Sequence, residues 1–152
     1  MFLDKEELKS SIYEYQLEQI TEGDHSIIEM GIATAIEEVR SYLTSNFKSK
    51  FRDGRLLYDT EAIFAAEGTD RNPLILSMTK TCAVYHIIQL CNADVIYEQA
   101  KERYDRVIKY LDKLKTGEVT LAQLPQLDPD EAGNVANQQP FIGDSRPKFN
   151  FE

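Results

Sequence analysis

The arrangement of apolar and polar side chains predicts the clearest helix of this chain over residues 25–47. Apolar residues recur there at steps of three and four, which places them along one face of an α-helix. Asp24 precedes the pattern and can accept hydrogen bonds from the free N–H groups of the first turn. We assign the adjacent acids Glu37 and Glu38 to the solvated face rather than to a catalytic pair. The apolar stripe consists of Ile28, Ile32, Ala35, Ile36, Val39, Tyr42, Leu43 and Phe47.

A second helix, predicted from Pro73 through a segment that ends at Asn92, is apolar on nearly every side. It starts at Pro73, which suits the first helical position because the missing N–H would have no partner there, and Asp70 or Asn72 can cap it. A helix that is apolar all round packs in the middle of a protein. We therefore expect it to be covered by neighbouring helices or by another subunit.

The last predicted helix runs from about residue 94 to residue 116 and has one apolar face. Gly117 follows it, in the position after a helix where a positive φ angle favours glycine. The apolar face consists of Ile96, Tyr97, Ala100, Tyr104, Val107, Ile108, Leu111 and Leu114.

Two shorter helices complete the prediction. Asp4 precedes an amphipathic run in which Leu8, Ile12 and Tyr15 share one face, and a short helix is expected over residues 60–66. The chain is therefore predicted to be mostly α-helical, a small bundle of four to five helices.

The segment between residues 48 and 55 interrupts the helical pattern with an Asp-Gly turn signal, which leaves a short hairpin near residues 50–58 as an open alternative. It also concentrates positive charge, with four basic residues against one acidic residue. A surface turn explains this charge most simply, and contact with a phosphate or an acidic partner is the alternative. The basic residues are Lys48, Lys50, Arg52 and Arg55.

The chain changes character after Gly117, where four of its five prolines lie. Helices are not expected to continue through them. The segment also carries more apolar residues than a solvating linker needs. We therefore divide the chain into a helical domain, residues 1–117, and an irregular C-terminal arm, residues 118–152, that docks on its own domain or on a neighbour. The anchoring side chains proposed for partner contact are Leu121, Leu124, Phe141, Phe149 and Phe151.

Length and charge limit the class of protein. A chain of 152 residues is the size of one domain and can bury one core without a disulfide or a metal. Its formal net charge of −9 argues against a general or sequence-specific nucleic-acid-binding surface, because phosphate contacts need basic residues. We read neither a secretory signal nor an apolar run of membrane-spanning length in it, so a cytoplasmic protein without membrane contact is the expectation.

The sequence contains none of the phosphate-binding, nucleophile-elbow or zinc-protease motifs, so we expect no enzyme activity, no catalytic residue, no cofactor and no metal. His86 lies in the most apolar helix, where a buried histidine satisfied by a nearby carbonyl is the expected role. Cys82 and Cys91 are nine positions apart in one helical segment, too far for a disulfide, and are expected to be buried free thiols.

Four segments in this order resemble the Mu-like prophage family of small head–tail connector proteins, also described as neck or head-completion proteins. They are FLDKEELKSSI, AIEEVRSYLTSNF, ILSMTKTCAVYHII and YDRVIKYLDKLKTGEVTL, and together they extend over roughly residues 2–124. The chain departs from the family pattern after Tyr42-Leu43, where relatives usually have an aromatic-proline turn and this chain has SNFKSKFRDGR.

The resemblance implies a structural subunit that forms a ring with other copies of itself between the capsid portal and the tail. Its partners would be the portal and tail-completion proteins, and it would act in the host cytoplasm during assembly and then in the virion neck. Two other classes stay open from the residues alone. One is a small helical adaptor or regulatory module, and the less favoured one is an enzyme whose site is assembled from scattered acids.

Overall fold

The computed structural model describes residues 1–44, 56–91 and 96–127 of the chain. These residues form a helical bundle, as predicted, and their only β-type pairing is an isolated antiparallel bridge between Tyr58 and Gln126. The elements in chain order are a first 3-10 helix Lys5–Ser10, α1 Glu14–Thr21, α2 His25–Leu43, α3 Thr60–Ala65, a second 3-10 helix Gly68–Asp70, α4 Pro73–Leu90 and α5 Tyr97–Thr116.

The apolar helix α4 is the centre of the bundle and packs between α2 and α5. Asn72, one of the two candidate caps, accepts hydrogen bonds from the N–H groups of Leu74 and Ile75 at 3.0 and 3.1 Å. Other helices of the same chain cover most of α4. Most of the apolar side chains of α4 are therefore buried in the core of this chain and do not need another subunit to cover them. The fully buried side chains of the core include Leu3, Leu8, Ile28, Ile32, Val39, Ile75, Cys82, Ile87 and Leu111.

Gly31 allows α2 to approach α4 closely. A Cβ atom added to Gly31 would lie 2.4 Å from Cγ1 of Ile87 and 3.3 Å from its backbone nitrogen. Real Cβ atoms do not come that close to another carbon, so a glycine is needed where the two helices cross.

The N-terminal amphipathic run was predicted as one helix, and this prediction is wrong. The 3-10 helix ends at Ser10 and α1 begins at Glu14, because Tyr13 has extended backbone angles. Ile12 and Leu17 are five residues apart, so in one continuous helix their side chains would not share a face. The break allows both side chains to be buried. Tyr15, predicted on the apolar face, is 64% exposed.

An ion pair ties the first 3-10 helix to the loop before α4. The guanidinium of Arg71 contacts both carboxylate oxygens of Glu7, at 2.5 and 2.8 Å, and also donates to the backbone oxygen of Phe2 at 2.7 Å. The ring of Phe2 packs edge-on against that of Phe64, with centroids 4.9 Å apart. The N-terminal segment is therefore an integral part of the bundle.

Two helix ends agree with the residues predicted to cap them. The carboxylate of Asp24 accepts from the N–H of Ser26 at 2.9 Å, and Gly117 has the predicted positive φ, 83°. Helix α2 ends at Leu43 rather than near residue 47. The first half of the hairpin considered near residues 50–58 lies outside the described residues, and in the other half Tyr58 pairs with Gln126.

The first ten residues after Gly117 pack against the helical domain. The N–H of Leu121 donates to the hydroxyl of Tyr58 at 2.9 Å, and the N–H of Leu127 donates to the backbone oxygen of Leu57 at 2.8 Å. Leu124 is buried among the core residues, with 3% of its surface exposed. The beginning of the predicted arm therefore lies on its own domain.

Candidate functional site

A groove of about 510 Å³ is the main candidate site within the described residues. It lies where the first 3-10 helix and the start of α1 meet α4 and the first turns of α5. Its floor is apolar and its rim is polar. The floor consists of Ile12, Val84, Ile88, Ile96 and Ala100, and the rim consists of Lys9, Ser10, Ser11, Tyr13, Gln16, Thr81, Gln99 and Arg103.

The charged side chains that line the groove are both basic. Lys9 contacts the carboxylate of Glu14 at 3.2 Å. Arg103 forms no ion pair with any residue in the described ranges, whereas Lys101 and Arg106 on the same helix pair with acids four positions away. An apolar floor beside an arginine suits a ligand that has an apolar part and a negative charge.

Two exposed tyrosines extend the apolar surface at the rim. Tyr13 lines the groove, and its ring stacks on that of Tyr15 with centroids 5.6 Å apart. Their exposed fractions, 68% and 64%, are high for aromatic residues. Tyrosine is enriched in protein interfaces, because an apolar ring with a polar hydroxyl tolerates partial burial.

A half-buried polar network joins the three longest helices on another side of the core. Glu38 of α2 receives two hydrogen bonds, from the Tyr104 hydroxyl of α5 at 2.5 Å and from His86 of α4, whose Nε2 lies 2.6 Å away. A carboxylate oxygen accepts hydrogen bonds, so His86 donates in the tautomer that carries its hydrogen on Nε2. The ring of Tyr85 stacks on that of Tyr104 at 4.0 Å and receives a hydrogen bond from Gln89 at its hydroxyl.

The network connects three helices. Burial, reinforced by the hydrogen bond to Glu38, raises the pKa of Tyr104 above its ordinary value, so its hydroxyl stays protonated and remains a donor. Glu38, His86 and Tyr104 all lie outside the lining of the groove. The arrangement therefore fixes the relative positions of α2, α4 and α5.

Two predictions about this network were wrong. His86 is satisfied by a carboxylate from another helix, not by a nearby carbonyl, and Glu38 is half-buried rather than on a solvated face. The sequence did contain a signal, because Glu38 lies three residues after Ala35 and four before Tyr42, within the apolar stripe. An acid in that position needs a partner from a neighbouring helix.

The cysteines are structural. Cys82 is fully buried, and burial raises the pKa of its thiol to about 12, which keeps it protonated and unreactive. Cys91, expected to be buried as well, is half-buried at the end of α4. In the described ranges, no group of three or more histidine, cysteine and acidic residues is arranged to hold a metal ion.

Most residues proposed from the sequence for partner contact lie outside the described residues. These are Lys48, Lys50, Arg52, Arg55, Phe141, Phe149 and Phe151. Of the other two, Leu121 is half-buried against the core and Leu124 is buried, so Leu124 is not available to a partner in this structure. Sequence reasoning missed the groove, because its lining comes from four separate segments.

No helix in the described part of the chain combines the length and the apolar character needed to cross a membrane. Comparison with protein-family models, curated proteins and solved structures gave no match.

Proposed function

We propose that this protein is a non-enzymatic subunit of a phage or prophage head–tail connector. It would join other copies of itself in a ring and contact the portal and tail-completion proteins, first in the host cytoplasm and then in the virion neck. The proposal rests on the resemblance of four ordered segments and on one structural observation, the presence of two different apolar features on the surface of one subunit.

The first feature is the stacked pair Tyr13 and Tyr15 beside the groove. The second consists of two exposed apolar residues, Met30 and Leu90, whose exposed fractions are 57% and 46%. These two residues lie at the same end of the bundle, because Gly31 of α2 meets Ile87 of α4. A ring subunit joins its neighbours head to tail, so it needs two different surfaces that complement each other.

Most of helix α4 does not contribute to such an interface. The sequence left open whether neighbouring helices or another subunit would cover it, and α2 and α5 do so. Subunit contacts must therefore use the smaller exposed features. A small interface of this kind fits a subunit that associates firmly only after it meets the portal.

The test uses particles that carry a portal but lack a neck, mixed with purified protein and tails and examined by electron microscopy. The wild-type chain should join tails to particles. The double variants Tyr13→Ser/Tyr15→Ser and Met30→Ser/Leu90→Ser should each fail, because each retains only one of the two surfaces. Glu29→Ser, an exposed change next to Met30, is the matched control and should act like the wild type.

Circular dichroism and thermal melting of each variant separate loss of assembly from loss of fold. A wild-type chain that neither binds portal-bearing particles nor joins tails would overturn the connector proposal. Firm binding to a different helical protein would then favour the adaptor alternative. If only one double variant failed, the protein would use one surface, and the head-to-tail ring would be wrong.

A further inference from the structure

We propose that residues 140–144 of this chain, Pro-Phe-Ile-Gly-Asp, bind in the groove of the same molecule. Phe141 and Ile142 would cover the apolar floor, and the carboxylate of Asp144 would pair with Arg103. This inference concerns the chain itself and does not depend on the connector proposal.

Charge complementarity supports this occupant. Residues 128–144 contain four acidic residues and no lysine or arginine, whereas the charged lining of the groove is basic. Arg103 is the favoured partner, because Lys9 already contacts Glu14. Within residues 128–144, Phe141-Ile142 is the only pair of adjacent large apolar residues, and a carboxylate follows it two positions later. This sequence matches a groove with an apolar floor and a basic rim.

The length of the chain allows this contact. The described residues end at Leu127, which lies beside Leu57. In the chain, Leu127 follows the carboxyl end of α5, whereas the groove lies at the amino end of that helix. At about 1.5 Å per residue, α5 is about 30 Å long. Phe141 lies fourteen positions after Leu127, and fourteen residues extend to at most about 50 Å.

The same length favours binding within one molecule over binding to a second copy. A random coil of fourteen residues has a root-mean-square end-to-end distance of about 20 Å, which is of the same order as the length of α5. Its effective concentration at the groove is then of the order of millimolar. A second copy at micromolar concentration would compete poorly.

Nuclear magnetic resonance of the full-length chain tests the proposal. The variant Phe141→Ser/Ile142→Ser should shift the backbone amide resonances of Thr81, Val84 and Ile88, which line the groove. The matched control Phe149→Ser/Phe151→Ser removes two aromatic side chains from the same part of the chain and should leave those resonances in place. The shifts should be the same at about 20 µM and at about 1 mM protein, because an intramolecular contact does not depend on protein concentration.

A charge exchange tests the pairing. Arg103→Asp should produce part of the same shifts, and Arg103→Asp combined with Asp144→Arg should reverse them. Unchanged groove resonances in the Phe141→Ser/Ile142→Ser variant would overturn the proposal. It would also be overturned if adding unlabelled wild-type protein to the labelled variant restored the original resonances, because a second copy would then be the occupant.

Discussion

At the scale of single residues, small details of chemistry decide how the helices fit. Gly31 is the clearest case, because the close crossing of α2 and α4 leaves no room for a side chain. Glu7 is another, because its contact with Arg71 fixes the N-terminal segment on the bundle. Each makes a measurable contribution to the free energy of unfolding.

Replacement of Gly31 by alanine should destabilise the protein. Alanine is favoured over glycine within a helix by about 1 kcal/mol, but forcing a methyl group against buried Ile87 costs typically 1–3 kcal/mol or more. We expect a net loss of up to about 2 kcal/mol in urea unfolding. In a double-mutant cycle with Ile87→Ala, the two losses should sum to more than the loss in the double variant. Additive losses would contradict a direct clash.

The pair Glu7–Arg71 should make the protein sensitive to acid. The side-chain hydrogen bond from Arg71 is the main cause that lowers the pKa of Glu7 from 4.5 to about 2. A lowered folded-state pKa means that the pair stabilises the fold above the unfolded-state pKa, and that this stability is lost as the pH falls from about 4.5 toward 2.

The measurement is the difference in stability between the wild type and Glu7→Gln as a function of pH. It should be about 1.5–3 kcal/mol at pH 7, the size expected for a hydrogen bond between charged groups, and should shrink below pH 4.5. Glu6→Gln, an exposed neighbour, is the matched control and should show little change. A difference between wild type and Glu7→Gln that stayed constant down to pH 2 would contradict the assigned pKa.

At the scale of elements, the hydrophobic pattern was a reliable guide to α2, α4 and α5, because their faces repeat over many turns. It failed near the N-terminus, where the helix is broken between Ser10 and Glu14. The break allows apolar side chains on both sides of it to be buried, and helical periodicity does not predict such a break. It also missed the partner of His86, because a hydrogen bond between two helices depends on their relative rotation. The groove escaped prediction for the same reason, since its lining is assembled only when the helices pack.

The Glu38 network should be the polar contact that fixes α2 against α4 and α5. In Glu38→Gln, one of the two acceptor oxygens becomes a neutral NH2 group, so His86 must change tautomer or the Tyr104 hydroxyl must turn to keep its hydrogen bond. We expect a loss of about 1–2 kcal/mol in chemical unfolding, since a hydrogen bond to a charged group contributes more than one between neutral groups. Glu37→Gln is the matched control, because that side chain is 72% exposed and should change stability little. Equal effects of the two substitutions would contradict a structural role for the network.

At the scale of the whole molecule, the structure places the boundary between the packed chain and the arm later in the sequence than Gly117. The sequence signal at Gly117 correctly marks the end of α5. It does not mark the end of the packed chain, because Leu124 and the contacts of Tyr58 continue the core beyond it. Apolar residues after a helix stop show that a segment packs, but not on which surface. That choice depends on the shape of the finished bundle.

Two truncations should separate these boundaries. A chain that ends at residue 127 retains Leu124 in the core and the hydrogen bond between Leu121 and Tyr58, whereas a chain that ends at Gly117 loses both. Removing a buried leucine costs about 2–5 kcal/mol, and the exposed apolar surface around Tyr58 adds to this loss. The shorter chain should therefore be less stable than the longer one by at least about 2 kcal/mol in urea unfolding.

The single substitution Leu124→Ala in the full-length chain is the check on this interpretation, and Gln123→Ala, an exposed neighbour, is its control. Leu124→Ala should reproduce most of the difference between the truncations, since the buried side chain carries most of the contact. If both truncations unfolded at the same urea concentration, residues 118–127 would belong to the arm. The helical domain would then end at Gly117, as the sequence alone indicates.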